Sequence, residues 1–212
     1  MSQGLMNVLL LVPVFLFSLC VHEFAHAWVA TQRGDTTPRA AGRLTLEPWA
    51  HADLLGTLIL PIACIYYSLP FFGWAKPVPV DIRQLKYGRR DMALVAFAGP
   101  LSNILLAILS TAILGGLVRL PFKADVIDTV QLFCVISIQV NLMLAFFNLL
   151  PIPPLDGFMV IQGILPARMA ARFYRLAPYA NIFLLALLVT GGLKYLSLPA
   201  TMGFRFLVGL VS

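Results

Sequence analysis

Residues 20–28 read CVHEFAHAW, and they close an apolar run that begins NVLLLVPVFLFSLCV at residues 7–21. His22 and His26 stand four positions apart with Glu23 beside the first, the spacing of a zinc hydrolase on a helix. The residues in front of them have the composition of a membrane interior. A water-using site at the end of a lipid-soluble helix is the problem that the rest of the chain has to resolve.

The 212 residues are 60% hydrophobic and 11% charged, with a mean hydropathy of +0.89. A soluble domain carries about 25% charged residues, and several runs here reach the roughly 20 apolar residues that cross a bilayer. The chain therefore reads as an integral membrane protein in contact with the lipid bilayer. Its net charge of +6 bears on orientation. It does not point to nucleic acid, because no recognition module accompanies it. The start, MSQGLMN, lacks the basic residues and cleavage site of a signal peptide, so the first run is expected to be retained. Cys20, Cys64 and Cys134 lie in apolar runs without CxxC spacing and read as buried thiols.

Five apolar runs follow one another, at about residues 5–30, 54–75, 92–118, 126–150 and 176–196, and a short apolar tail ends the chain. The second is interrupted by Pro61 and Pro70. The expected fold is an all-α polytopic membrane protein with about 5–6 transmembrane or re-entrant helices. The alternation in RLTLE, residues 43–47, adds a short β-strand or hairpin near 40–48. With no long linker or repeat, residues 1–212 read as one membrane-embedded domain, its core over 5–160 and further helices over 160–212. Trp49, Trp74 and Tyr87 suit interfacial anchoring.

Positions i and i+4 share one helical face, so His22 and His26 can aim imidazole nitrogens at one ion. Glu23, one position round, can serve as a base toward water without ligating. Zinc lowers the pKa of bound water to about 7 and polarises a carbonyl, which permits amide hydrolysis. The chain has three histidines, and two are in this motif inside a membrane run, where ionisable residues are costly and functional. A catalytic zinc has three protein ligands and one open position. Two residues can supply the third: His51 in WAHAD and Asp156 in PPLDG. Asp156 follows a proline-broken segment, which places irregular backbone against a cavity. An ordinary Asp-Gly turn would look the same.

HEFAH at 22–26, paired with NLLPIPPLDG at 148–157, resembles the site-2 proteases, intramembrane zinc metalloproteases that join HExxH to a distant N-x-x-P-x-P-x-L-D-G. AGPLSN at 98–103 is similar to the family's central helix. GRLTLEPWAHADLLGTLILP and GWAKPVPVD resemble a compact subgroup without PDZ or CBS domains. The resemblance implies one zinc per chain held by His22, His26 and Asp156, with Glu23 as general base and acid. Asn148 would bond the substrate backbone or the developing oxyanion. It further implies a transmembrane protein as substrate and regulated intramembrane proteolysis as the role. Asn103 and Asn141 read as helix-packing residues, and His51 as a polar contact at the membrane surface. RLTLE is an edge to which an unwound substrate could pair, or a structural cover.

The shared metal constrains topology. His22 lies near the end of the first run and Asp156 just past the end of the fourth, so those ends must face the same side. Four single crossings would leave them about 30 Å of hydrocarbon apart. The second run, broken by prolines, is expected to enter and return, as a hairpin or re-entrant segment. Lys and Arg then number 11 on one face and 2 on the other; a single crossing would give 5 and 8. The rich face is cytoplasmic by the positive-inside rule, which places the site toward the cytoplasm, in a prokaryotic inner membrane given the short loops. A di-iron desaturase would need many more histidines. An inactive scaffold or transporter would not need Glu23.

Overall fold

The computed structural model describes residues 3–67, 73–120, 125–192, 195 and 197–211. Three of the described helices are long and apolar enough to span a bilayer: α1 (Gln3–Gln32, apolar from Leu9), α5 (Arg89–Val118) and α6 (Asp125–Asn148). Between α1 and α5 lie three short helices, α2 (Thr37–Ala40), α3 (Pro48–His51) and α4 (Leu60–Tyr66), the last preceded by a π-helical turn at Leu54–Ile59. After α6 come α7 (Asp156–Ile164), α8 (Ala167–Tyr174), a 3-10 turn at Ala177–Tyr179, α9 (Ala180–Val189) and α10 (Leu198–Gly209).

α5 is the central post, packed by α1, α6 and α7, and α1 and α6 also pack on each other. Val14, Phe15 and Leu19 of α1 bury against Val140 of α6. Ala107 and Leu114 of α5 bury against Cys134, Ile138 and Leu142 of α6, with Ala200 of α10 closing that cluster. Buried polar side chains find partners between α5 and α6, as a low-dielectric setting favours: Ser110 Oγ meets Ser137 Oγ at 2.8 Å, and Asn141 Nδ2 donates to the Ser137 carbonyl at 2.9 Å. The three cysteines are free and buried.

The described helical part of the second apolar run is too short to cross. This part, Leu54–Tyr66, is 13 residues, about 20 Å of helix against about 30 Å of hydrocarbon. Residues 74–76 lie beside the start of this segment. Trp74 N–H donates to the Gly56 carbonyl at 3.0 Å, Thr57 Oγ1 to the Trp74 carbonyl at 2.8 Å, and Lys76 N–H to the His51 carbonyl at 2.9 Å. Residues 74–76 therefore lie on the side where residues 51–57 began, as a metal shared by His22 and Asp156 would require. Cysteines placed at Glu47 and Lys86, both exposed, should react with an impermeant thiol reagent from one face and a cysteine at Arg119 from the other. Labelling of 47 and 86 from opposite faces would contradict this topology. The native thiols, being buried, leave a low background.

The strand expected near 40–48 is absent: the described residues contain no strand, and residues 41–47 run in turns between α2 and α3. Two features account for this. Gly42 takes a left-handed conformation at φ 67°, and the Thr45 hydroxyl accepts the Glu47 N–H at 3.1 Å, curling the backbone locally. The R-L-T-L-E alternation has another origin. Arg43 is 5% exposed and Leu46 54%, the reverse of a polar-out strand, because the arginine turns inward to bond backbone carbonyls. RLTLE is therefore no edge for a substrate to pair with.

Up to Gly192, the run at 176–196 is a 3-10 turn and the ten-residue α9, ended at Thr190–Gly192, where Gly191 sits at φ 71°. Ten helical residues reach about 15 Å, half a span.

Candidate metal centre

Three elements deliver the candidate ligands. α1 presents His22 and His26 one turn apart on the face toward α5. The α6–α7 turn delivers Asp156: Pro151, Pro153 and Pro154 forbid continuation of α6, and Gly157 follows the aspartate where a Cβ would lie 2.1 Å from the Leu149 carbonyl oxygen. α7 is pressed onto α5 at Gly163, where a Cβ would meet Ala93 Cβ at 2.3 Å. Asp156 Oδ2 thus stands 3.2 Å from His22 Nε2 and 3.4 Å from His26 Nε2, with 3.1 Å between the two nitrogens.

The protons of these groups are fixed from behind. His26 Nδ1 lies 2.7 Å from the Val95 carbonyl, which can only accept, so Nδ1 carries the proton. His22 Nδ1 lies 2.6 Å from Asn103 Oδ1. The Asn103 amide is oriented by its Nδ2, which donates to Asn141 Oδ1 at 2.8 Å and to the Ser18 carbonyl at 3.2 Å. Both Nε2 atoms are then bare lone pairs, and Asp156 Oδ2 is buried without a hydrogen-bond donor. Three acceptors converging within 4.8 Å repel one another unless a cation sits among them. Around a tetrahedral zinc with bonds of about 2.0–2.2 Å, ligand atoms stand about 3.3–3.5 Å apart, close to the separations here. The donor set, two imidazoles and a carboxylate, is that of catalytic zinc.

Glu23 is 9% exposed and is not among the ligand atoms. Its Oε2 accepts the Val78 N–H at 3.0 Å, which leaves Oε1 for water. Asn148 Nδ2 is turned back onto its own helix, donating to the Leu144 carbonyl at 3.0 Å. His51, the other candidate third ligand, is elsewhere. Its Nε2 donates to the Thr45 carbonyl at 2.9 Å, and its Nδ1 faces Arg43 at 3.4 Å. It is buried at the end of α3, 2% exposed, and not a surface contact.

Two residues of AGPLSN bear on the site more directly than packing suggests. A Cβ at Gly99 would fall 2.4 Å from His26 Nε2 and 2.6 Å from His22 Cε1, so only glycine lets α5 approach the imidazoles. Asn103, one turn further along the same face, orients His22. The signal was available: a lone amide in an apolar helix, four residues after a glycine. Outer-sphere partners of a metal ligand are worth 10–100-fold in metal affinity. Asn103→Leu, which strands the His22 Nδ1–H, is expected to weaken zinc binding by about that factor in a chelator competition; unchanged affinity would refute the assignment.

The family described as Peptidase family M50 matches residues 110–190, a stretch that includes Asn148 and Asp156. The chain is 40% identical over 185 residues to "Putative zinc metalloprotease YwhC" of Bacillus subtilis, covering 85% of this chain and 80% of that one. It is 30% identical over 188 residues to "Putative zinc metalloprotease Rip2" of Mycolicibacterium smegmatis, covering 88% and 69%. Over 176 residues it is 34% identical to the protein of the same name from Mycobacterium tuberculosis H37Rv, covering 82% and 64%. No solved structure matches the chain significantly. The first two of these likenesses take in 85% and 88% of this chain, and the chain belongs to peptidase family M50, the site-2 protease family of membrane metalloproteases.

Proposed function

We propose that this protein is a zinc-dependent endopeptidase that hydrolyses peptide bonds within or near the transmembrane segments of membrane protein substrates, in regulated intramembrane proteolysis. The observation that carries the reading is the convergence of His22, His26 and Asp156 at the end of a spanning helix, with a buried glutamate beside the first ligand. A site at that depth suits an amide that is itself in the membrane. Eleven basic residues on the face where α1 ends and α7 begins favour a cytoplasmic orientation in a cell membrane.

Zinc, when bound by these three residues, polarises the scissile carbonyl and lowers the pKa of water. Glu23 takes a proton from the attacking water and later gives it to the leaving amine. Val78 N–H holds one carboxylate oxygen while the other does this work. Asn148 serves by exchanging the Leu144 carbonyl for the substrate's, placing an amide donor where negative charge develops. The substrate must unwind first, since a helix engages its own carbonyls in hydrogen bonds. The test is cleavage of a model transmembrane substrate by the purified protein in detergent or vesicles, with the new termini mapped by mass spectrometry. Cuts inside or at the edge of the apolar segment are expected; cuts confined to a distant soluble tail would contradict the reading.

A further inference from the structure

Arg43 is an anomaly. It is 5% exposed, yet no carboxylate among the described residues lies within ion-pair reach of it; the arginine ion pairs found are Arg33–Asp91 and Arg83–Asp81. A buried charge without a counter-charge is costly unless its donors are satisfied. They are satisfied by carbonyls. Nη1 donates to Ala50, and Nη2 to Lys76 at 3.1 Å and to Pro77 at 2.9 Å. Nη1 also faces His51 Nδ1 at 3.4 Å, the acceptor nitrogen of a ring whose Nε2–H is on Thr45. One guanidinium thus ties the loop after α2, the end of α3 and the extended run that returns from the re-entrant segment.

The last of these matters for the site. Residues 76–80 read Lys-Pro-Val-Pro-Val. Pro77 and Pro79 have no N–H and hold φ near −65°, so the run is stiff and Val78 is its one donor between the prolines. That donor is the one on Glu23 Oε2. The carbonyls on Arg43 belong to the two residues immediately before Val78, and Lys76 N–H is pinned to the His51 carbonyl at 2.9 Å. The run is held at each backbone polar group of Lys76 and Pro77, the two residues before Val78.

We propose that Arg43 is a positioning residue for Glu23, acting through the Lys76 and Pro77 carbonyls to set the Val78 N–H that orients the carboxylate. This rests on the reading of Glu23 as the base. A misplacement of a reacting group by about 1 Å costs about 10²-fold in rate, so the loss of this support is expected in kcat and not in KM or zinc content.

Amide hydrogen exchange at Val78, together with kcat, KM and zinc stoichiometry, tests it on the purified full chain. Val78 exchange should be slow in the wild type and at least about tenfold faster in both Glu23→Ala and Arg43→Gln. Arg43→Gln should lose about 10²-fold in kcat with KM and zinc unchanged. Val78→Pro, which removes the donor within a run already held by flanking prolines, should show the same kcat loss. Should Arg43→Gln fail to fold, Val78→Pro and the wild-type exchange rate still decide. Val78 exchange no slower in the wild type than in Glu23→Ala would overturn the proposal, as would wild-type kcat in Arg43→Gln or Val78→Pro. Full activity in Glu23→Gln would remove the base and this proposal with it. An inactive Glu23→Gln beside a fully active Arg43→Gln would remove the positioning role alone.

Discussion

Glu23→Gln is expected to lower peptide cleavage by roughly 10²–10⁴-fold, the contribution of a positioned general base and acid, while zinc stoichiometry stays at the wild-type value. The reasoning is geometric. Glu23 is adjacent to His22 in sequence but is not one of the three converging ligands, so the metal does not depend on it. Glutamine is nearly isosteric, and its amide oxygen can still accept the Val78 N–H that Glu23 Oε2 accepts at 3.0 Å. The substitution therefore removes proton uptake and leaves the fold and the loop contact in place. Initial rates on a model transmembrane substrate, read beside zinc content, check it. Full activity in the variant would refute the role. Loss of zinc along with activity would show that the glutamate belongs to the ligand set.

Gly99→Ala is expected to be as damaging by a different route. Its new Cβ would sit 2.4 Å from His26 Nε2, 2.5 Å from His26 Cε1 and 2.6 Å from His22 Cε1. These are rigid ring atoms, and one of them is the atom that must face the metal. The imidazoles cannot swing away without giving up Val95 and Asn103 behind them. α5 cannot retreat without opening its contacts with α1, α6 and α7. A displacement of about 1 Å costs about 10²-fold in rate, so activity should fall by at least that factor, with zinc affinity falling in parallel. Gly116→Ala on the same helix, where a Cβ meets nothing within 4 Å, should be tolerated. Equal behaviour of the two variants would show that Gly99 is ordinary helix-packing space.

What the sequence makes legible follows from where its constraints are strong. His22, Glu23 and His26 are readable because helical spacing fixes which side chains share a face. Asp156 is readable only through the pairing of HEFAH with NLLPIPPLDG, since an ordinary Asp-Gly turn after prolines would look the same. The return of the second apolar run follows from two independent demands, a metal shared between distant segments and the sidedness of Lys and Arg, and the backbone bonds of Trp74 and Lys76 meet both. RLTLE misleads because alternation records only which side chains are buried. Here the buried one is an arginine bonding carbonyls in a turn. Asn103 looks like packing because an amide in a membrane helix has many possible partners, and its contact with His22 spans 81 positions. The Val78 contact with Glu23 has no side-chain signature at all, since the donor is backbone. The break in the run at 176–196 turns on Gly191, whose left-handed φ a hydropathy pattern does not register.

Zinc content of the purified wild type and of Asp156→Ala is the most direct measurement of whether His22, His26 and Asp156 form one metal centre. The expected result is one zinc per wild-type chain and a near-complete loss in Asp156→Ala, although 134 positions separate that residue from His22. Asp156→Ala retaining as much zinc as the wild type would contradict it, and the convergence of the three side chains would then have another cause.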